Sequence, residues 1–338
     1  MFQGATMNTK IHCLALLCML AFSGCGQGDS QPSSELPAIV TPPAPLTGGG
    51  PQPEGAIWLT DARAGFQTKL TRRESAQRPV AQPPATLFRT VQYRSPAGEL
   101  AAYLTPDPMD GARHPAILWI TGGDCNTIDE VWTAAPASND QTAGAYRQAG
   151  IVMMFASLRG GNVNPGVREG FFGEVDDILA AAAYLASQPY IDPNRIYLGG
   201  HSTGGTLALL AAESTDCFRA VFSFGPAAVV ALYGTEMLPF DFTNPREAEL
   251  RDPVRWLTSI KRPTFILEGI QDGNQQALEM IQRASTNPLV HCLPIRNADH
   301  FSVLGPTNQL IARKIVADNG PQTNLSLTAE EVEGLLAQ

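Results

Sequence analysis

The sequence predicts an α/β fold with a mostly parallel central sheet, helices on both faces of the sheet and a small cap insertion. From about residue 87 onward, short apolar runs typical of buried strands alternate with segments of helical periodicity. Strands that alternate with helices build a parallel sheet covered on both faces. Composition agrees, because 44% apolar and 16% charged residues are ordinary for a globular protein.

The elements follow in chain order. Residues 87–94 and 99–104 alternate around a Ser-Pro-Ala-Gly turn, which predicts an antiparallel hairpin. Further strands are predicted at 114–121, 151–157, 195–200, 218–224, 264–269 and 290–295, and helices at 140–148, 174–188, 203–213 and 308–317. The helix at 203–213 is apolar nearly all round and is expected to be buried.

Residues 229–260 interrupt the alternation. This segment carries Tyr233, Met237, Phe240 and Phe242. It is expected to form a small cap over a pocket that suits an acyl or aromatic group. The equal alternative is an excursion of the chain that packs on the core.

The N-terminus has the pattern of an export signal. Residues 11–22 form a mostly apolar stretch of twelve, whereas a membrane-spanning helix needs about 20. Phe22-Ser23-Gly24-Cys25 resembles the lipobox of bacterial lipoproteins, although Leu usually stands where Phe22 does. We predict a lipoprotein signal peptide at 1–24, a lipidated Cys25 and a lipid anchor in a membrane of the bacterial cell envelope. The alternative, a conventional signal peptide cleaved nearby, also exports the protein.

The next segment, residues 25–56, is predicted to be a flexible tether. Residues 26–55 contain seven Pro and six Gly and no aromatic residue, so they cannot bury a core. Residues 57–338 are then the folded domain.

Charge and cysteine content narrow the function classes. The chain has 23 basic and 32 acidic residues, a net charge of −9 with no basic run, so nucleic acid is not expected as a partner. Of the cysteines beyond the signal and Cys25, one pair among Cys125, Cys217 and Cys292 could form a disulfide, which the sequence does not identify. No Cys/His group has metal-ligand spacing, and neither a metal nor a cofactor is expected.

Gly200-His201-Ser202-Thr203-Gly204 lies between a predicted strand and a predicted helix. A serine on such a sharp turn stands above the edge of the sheet as a nucleophile, and the glycines allow close backbone approach. The helix that begins at Thr203 points its free N–H groups at a developing oxyanion. We therefore predict Ser202 as the nucleophile and the Thr203 N–H as one oxyanion donor.

The base must be one of five histidines. We predict His300 as the base, because it follows the last predicted strand, in a loop at the expected catalytic edge. His201 is next to the nucleophile and cannot fold back onto Ser202, and His291 opens a strand and is interpreted as structural.

For the acid, Asp272 is predicted because it lies just past the strand at 264–269, where a carboxylate can orient the imidazole. Asp299 would need an awkward backbone bend, and Glu268 is expected to point along or below the sheet. The second oxyanion donor is expected from the loop after the strand at 114–121, at the amide of Gly123 or Asp124.

Several motifs then resemble one family. The segments at 146–152, 159–161, 174–177, 184–185, 190–196, 200–205, 263–272 and 298–301 look like the catalytic domain of the prolyl oligopeptidase family and the neighbouring dienelactone-hydrolase-like proteins. The resemblance implies the α/β-hydrolase fold. It also implies cofactor-free hydrolysis of an ester or peptide bond through an acyl-enzyme, with a small-molecule ester or short peptide as substrate.

The sequence departs from the family in two respects. Residues 25–86 are too few to build the β-propeller of full-length family oligopeptidases, and Thr121 and Glu268 replace histidines commonly found before the corresponding glycines. The choice between peptidase and esterase therefore stays open. A lipoprotein that retains the hydrolase fold as a non-catalytic binding or scaffold module is the alternative function.

Overall fold

The described part of the chain, residues 58–337 of a computed structural model, is built around one eight-stranded sheet. The predicted signal peptide, the tether and Cys25 lie outside the described residues. The strands are β1 (Arg89–Ser95), β2 (Gly98–Leu104), β3 (His114–Ile120), β4 (Val152–Ala156), β5 (Ile191–His201), β6 (Val221–Phe224), β7 (Thr264–Gly269) and β8 (Val290–Ile295). No helix within residues 58–337 is both long and apolar enough to cross a membrane.

The strand order is β1-β2-β4-β3-β5-β6-β7-β8. β1 and β2 form the predicted antiparallel hairpin, and β2 also pairs antiparallel with β4. Every other pair is parallel. The predicted mostly parallel sheet is confirmed. The carboxyl ends of β3, β5, β6, β7 and β8 consequently lie along one edge.

Helices cover both faces of the sheet, as predicted. They are α1 (Leu59–Arg63), α2 (Ala145–Gln148), α3 (Gly173–Ala186), α4 (Thr203–Ala212), α5 (Gly234–Met237), α6 (Pro245–Glu249), α7 (Gln275–Ala284), α8 (Leu304–Ala317) and α9 (Ala329–Leu336). Alternate residues of β3 show the two layers: Leu118 belongs to the core cluster that includes residues of α3, α4 and α7, while Trp119 belongs to the cluster that includes residues of α2, α8 and α9. Every residue of α4 is buried, in agreement with its all-round apolar sequence.

Two elements differ from their predicted extent. Only Ala145–Gln148 of the helix predicted at 140–148 is helical, because the Asp140 carboxylate accepts the Thr142 N–H at 3.1 Å and Ala143 has a φ of 47°. β5 begins at Ile191, whereas the sequence predicts a strand only from residue 195. The Asp192 side chain still accepts the Asn194 N–H at 3.0 Å, and the pairing with β3 is irregular there.

The segment predicted as a cap, residues 229–260, contains α5, α6 and three short 3₁₀ helices. Its second half packs inward, with Leu250, Leu257 and Ile260 nearly inaccessible to solvent. Its first half combines exposed residues with the buried Leu238 and Phe240 and meets the chain preceding β1, where the Thr71 N–H bonds the Pro239 carbonyl at 2.7 Å. The second half therefore fits the alternative of packing on the core, whereas the cap over a pocket stays a prediction.

Candidate active site

Ser202 lies at the sharp turn between β5 and α4, as predicted. Its backbone has φ 56° and ψ −116°, a strained conformation for a residue other than glycine. The turn is too tight for side chains at its glycines. A Cβ at Gly200 would lie 2.3 Å from the Gly204 carbonyl oxygen, and one at Gly204 would lie 2.2 Å from that of Ile120. The Ser202 N–H bonds the Phe224 carbonyl at 2.7 Å, which ties the turn to the end of β6. The sequence between a strand and a helix thus produces a turn that lifts one hydroxyl above the sheet.

His300 lies in the loop after β8, and the carboxylate beside it is that of Glu268. His300 Nδ1 is 3.0 Å from Glu268 Oε2 and 3.3 Å from Oε1. The Glu268 side chain, at the end of β7, is only 1% exposed, and that of His300 is 14% exposed. A buried carboxylate needs a polar partner, and the imidazole N–H supplies it.

The predicted contact between Asp272 and His300 is wrong. Asp272 is exposed, has a φ of 60°, and its side chain forms no hydrogen bond with any of residues 58–337. The expectation that Glu268 points along or below the sheet is also wrong, because its carboxylate meets the imidazole of His300, in the loop after β8, at 3.0 Å. The rival Asp299 is engaged locally, since its Oδ1 accepts the N–H groups of Phe301 and Ser302.

Glycines leave the space that the His300–Glu268 pair occupies. A Cβ at Gly225 would lie 2.4 Å from His300 Cε1 and 2.6 Å from Glu268 Oε2. One at Gly273 would lie 2.6 Å from Glu268 Oε1. Gly225 follows β6 directly, so the pair lies next to the strand end to which the Ser202 N–H is bonded.

Ser202 and His300 are brought to the same edge of the sheet without a hydrogen bond between their side chains among the described contacts. His201 connects them, because it precedes Ser202 in the chain and its ring centre is 4.5 Å from that of His300. Hydrogen bonds between a nucleophile and its base often tighten only in the substrate complex.

The three residues predicted to supply oxyanion donors line one cavity. Within residues 58–337, the N–H groups of Thr203, Gly123 and Asp124 have no hydrogen-bond acceptor. The Thr203 hydroxyl donates to the Gly123 carbonyl at 3.0 Å and fixes the loop after β3 to the start of α4. The Asp124 N–H belongs to the same trans peptide as that carbonyl and points the opposite way. This geometry favours Gly123 over Asp124 as the second donor.

Buried polar contacts anchor the loop after β3 on its other side. The Asn126 side-chain amide donates to the Arg159 carbonyl at 2.8 Å and to Glu174 at 3.2 Å. Arg159 in turn forms a bidentate pair with the fully buried Asp177, with both distances 2.9 Å. Charge-assisted bidentate contacts of this kind fix geometry, so the candidate oxyanion loop rests on a rigid support.

A cavity of about 220 Å³ adjoins these donors. Thr203, Gly123 and Cys125 form its inner wall, and Phe171 and Met237 supply apolar surface. Phe171 is held in a strained conformation with φ 69° while its carbonyl accepts from Arg63 at 2.9 Å. The short helix α1 therefore shapes this cavity, which the sequence did not suggest.

Cys125, Cys217 and Cys292 are all free thiols, so the disulfide left open by the sequence does not form. Burial, with help from the Glu174 and Asp124 carboxylates, raises the pKa of the Cys125 thiol to about 12. It stays protonated at neutral pH and is a poor nucleophile. Within the described region, no group of three or more His, Cys, Asp or Glu is placed to hold a metal ion.

One protein family and several solved structures are similar to this chain. The model of the prolyl oligopeptidase family matches residues 139–313, more than half of the chain. The structure resembles an acylaminoacyl peptidase from Pyrococcus horikoshii with a TM-score of 0.57 at 17% identity, over 73% of this chain and 44% of that one. It resembles a puromycin-hydrolyzing peptidase from Mycobacterium tuberculosis with a TM-score of 0.54 at 21% identity, over 69% and 39%.

An esterase from Pyrobaculum calidifontis is similar over 68% of this chain and 85% of its own, with a TM-score of 0.50 at 15% identity. The chain thus spans about two fifths of the length of the two peptidases and most of the esterase. The predicted α/β-hydrolase fold is confirmed, and the chain belongs to the prolyl oligopeptidase family.

Proposed function

We propose that this protein is a serine hydrolase in which Ser202 is the nucleophile, His300 the base and Glu268 the acid. The observation that carries the proposal is the buried carboxylate of Glu268 at 3.0 Å from His300 Nδ1. It lies on the sheet edge that also holds the strained turn at Ser202. A carboxylate at Nδ1 fixes the tautomer that leaves Nε2 free to accept the serine proton, and it stabilises the imidazolium that forms.

The reaction follows from these placements. His300 takes the Ser202 proton as the hydroxyl oxygen attacks the substrate carbonyl carbon, and the tetrahedral oxyanion is bound by the N–H groups of Thr203 and Gly123. When the intermediate collapses, His300 gives its proton to the leaving alcohol or amine, and the acyl group remains on Ser202. A water molecule, deprotonated by His300, then releases the acid and restores the serine.

The substrate class is an ester or a short peptide. Support comes from the cavity of about 220 Å³, which has room for one apolar side chain or acyl group beside the oxyanion donors. The relatives named above include two peptidases and an esterase. Turnover of short p-nitrophenyl esters compared with blocked peptide anilides distinguishes the two activities.

Labelling with a fluorophosphonate tests the central claim. The purified protein should be labelled, and Ser202→Ala should not, because the reagent phosphonylates only an activated serine. A protein that does not label although it is folded would be the non-catalytic scaffold that the sequence left as the alternative. Labelling that persists in Ser202→Ala would mean that the nucleophile lies elsewhere.

We also propose that the protein is exported and held in the cell envelope by a lipid on Cys25, as the N-terminal sequence suggests. In a bacterial host fed an alkyne-bearing fatty acid, the full chain should incorporate the label and Cys25→Ser should not. Cys217→Ser is the matched control, because it removes a cysteine of the folded domain. Export of an unlabelled protein would instead indicate a conventional signal peptide.

A further inference from the structure

His201, the residue before the candidate nucleophile, is 1% exposed and lies between three segments of the site. Its Nε2 is 2.9 Å from the His300 backbone carbonyl oxygen. Its Nδ1 is 3.0 Å from the Gln141 side-chain nitrogen. On the third side it packs against the loop after β3, where a Cβ at Gly122 would lie 2.9 Å from Nδ1.

These contacts fix the protonation of the His201 ring. A backbone carbonyl can only accept a hydrogen bond, so Nε2 carries the proton and Nδ1 accepts from Gln141. The Gln141 nitrogen also donates to Asn139 Oδ1 at 2.8 Å, which uses its second hydrogen and sets the orientation of its amide. The chain Asn139–Gln141–His201–His300 is therefore satisfied at every step in one tautomer only.

The ring is also kept neutral. Burial, reinforced by the neighbouring His300, lowers the pKa of His201 to about 3. The charged or titratable groups facing the two rings are Glu268, at His300 Nδ1, and Asp299, the residue before His300. A neutral ring at 201 matters because a second cation 4.5 Å away would oppose formation of the His300 imidazolium.

We propose that His201 is a positioning residue for the reaction: its Nε2–H holds the backbone of His300 and thereby places the imidazole over Ser202, and Gln141 fixes the tautomer that makes this possible. The inference rests on the proposed function. Ser202 and His201 are adjacent in the chain, so one rigid turn sets both the nucleophile and the anchor of its base.

Two substitutions at His201 distinguish the effect of its hydrogen bond to the His300 carbonyl from the effect of its packing. His201→Gln keeps an N–H donor at about the reach of Nε2, whereas His201→Phe keeps a stacking ring and loses the donor. We expect kcat for an ester substrate to fall by about 100-fold in His201→Phe and by much less in His201→Gln, with KM little changed, because a base misplaced by about 1 Å slows proton transfer on that scale.

Gln141→Leu is the second variant, and it tests the positioning role of His201 if His201→Phe does not fold. It leaves Nδ1 without a donor and should lower kcat with KM unchanged. In wild-type protein, long-range ¹H–¹⁵N NMR correlations of His201 should show a neutral ring protonated at Nε2, and in Gln141→Leu a share of the other tautomer.

Fluorophosphonate labelling keeps the two proposals distinguishable. If wild-type protein does not label, the proposed function fails whatever the His201 variants do. If wild-type protein labels and His201→Phe, or Gln141→Leu in its place, retains wild-type kcat, the positioning role is overturned. Equal losses in His201→Gln and His201→Phe would also overturn it, since packing alone would then explain both.

Discussion

The turn at Ser202 and the pair formed by His300 and Glu268 lie at the same edge of the sheet, but different interactions hold them in place. The turn is fixed by backbone: its glycines admit neighbouring carbonyls within 2.3 Å of where a Cβ would be, and it bonds to β6 through the Ser202 N–H. The two residues of the pair are joined by a side-chain contact of 3.0 Å, in a slot that Gly225 and Gly273 leave open. The turn should therefore tolerate polar changes and resist added atoms, whereas the pair should be sensitive to both.

Glu268→Gln should have the largest effect on the pair. The amide can donate to Nδ1, which favours the wrong tautomer of His300, and it cannot stabilise the imidazolium. We expect kcat to fall by about 10⁴-fold, measured with an activated ester. Asp272→Asn is the matched control and should stay within a few-fold of wild type, because the Asp272 side chain bonds no described residue. The opposite ranking of the two variants would restore Asp272 as the acid.

Gly225→Ala tests whether the slot depends on a missing atom. Its Cβ would lie 2.4 Å from His300 Cε1, so the ring must move, and kcat should fall by about 100-fold. Gly150→Ala is the control, because Gly150 also has positive φ, at 78° against 57° for Gly225, but has no atom within 4 Å of its built Cβ. Comparable losses of activity in both variants would show that backbone strain, rather than crowding of the imidazole, is responsible.

The same contrast explains what could be predicted from the sequence. The turn is contiguous, and a strand, two glycines and a buried helix determine it by local sterics, so Ser202 and Thr203 could be placed. The identity of the acid depends on where the loop after β8 places His300 relative to the end of β7, and no local sequence pattern predicts that position. Asp272 has the expected loop position, but Glu268 has the burial that makes a partner necessary. A glutamate inside an apolar strand, one residue before a glycine, was the signal available.

The helices and strands also differ in whether local sequence or distant contacts determine them. The central strands and α3, α4 and α8 follow from periodicity, whereas α7 and α9 were not predicted. The helix α1 and the segment before β1 have little pattern of their own. They are ordered by distant partners, as in the bonds from Arg63 to the Leu250 carbonyl at 3.0 and 2.8 Å. Such tertiary contacts override weak local preferences.

His201 belongs to the turn and contacts the pair, so the pH dependence of stability can test how the two are joined. Its pKa is about 3 when folded and about 6.5 when unfolded. Between these values the unfolded chain binds the extra proton, so His201 makes stability fall as pH falls from 6.5 toward 3. From pH 7 to pH 5, the wild-type free energy of unfolding should fall relative to His201→Gln by about 2 kcal/mol. Parallel curves from urea titrations would mean that the folded protein protonates His201 readily.

The smallest expected effect concerns the junction between the turn and the oxyanion loop. Thr203→Val preserves the shape and the backbone N–H but removes the hydroxyl that bonds the Gly123 carbonyl at 3.0 Å. A hydrogen bond of this kind contributes about 1 kcal/mol, so kcat should fall by about fivefold if that energy orients Gly123 for the oxyanion. Thr203→Ser, which keeps the hydroxyl, should stay close to wild type. Because the N–H of Thr203 itself is unchanged in both variants, a difference between them reports only on Gly123. An equal kcat in Val and Ser variants would therefore place the second oxyanion donor outside the loop that this hydroxyl holds.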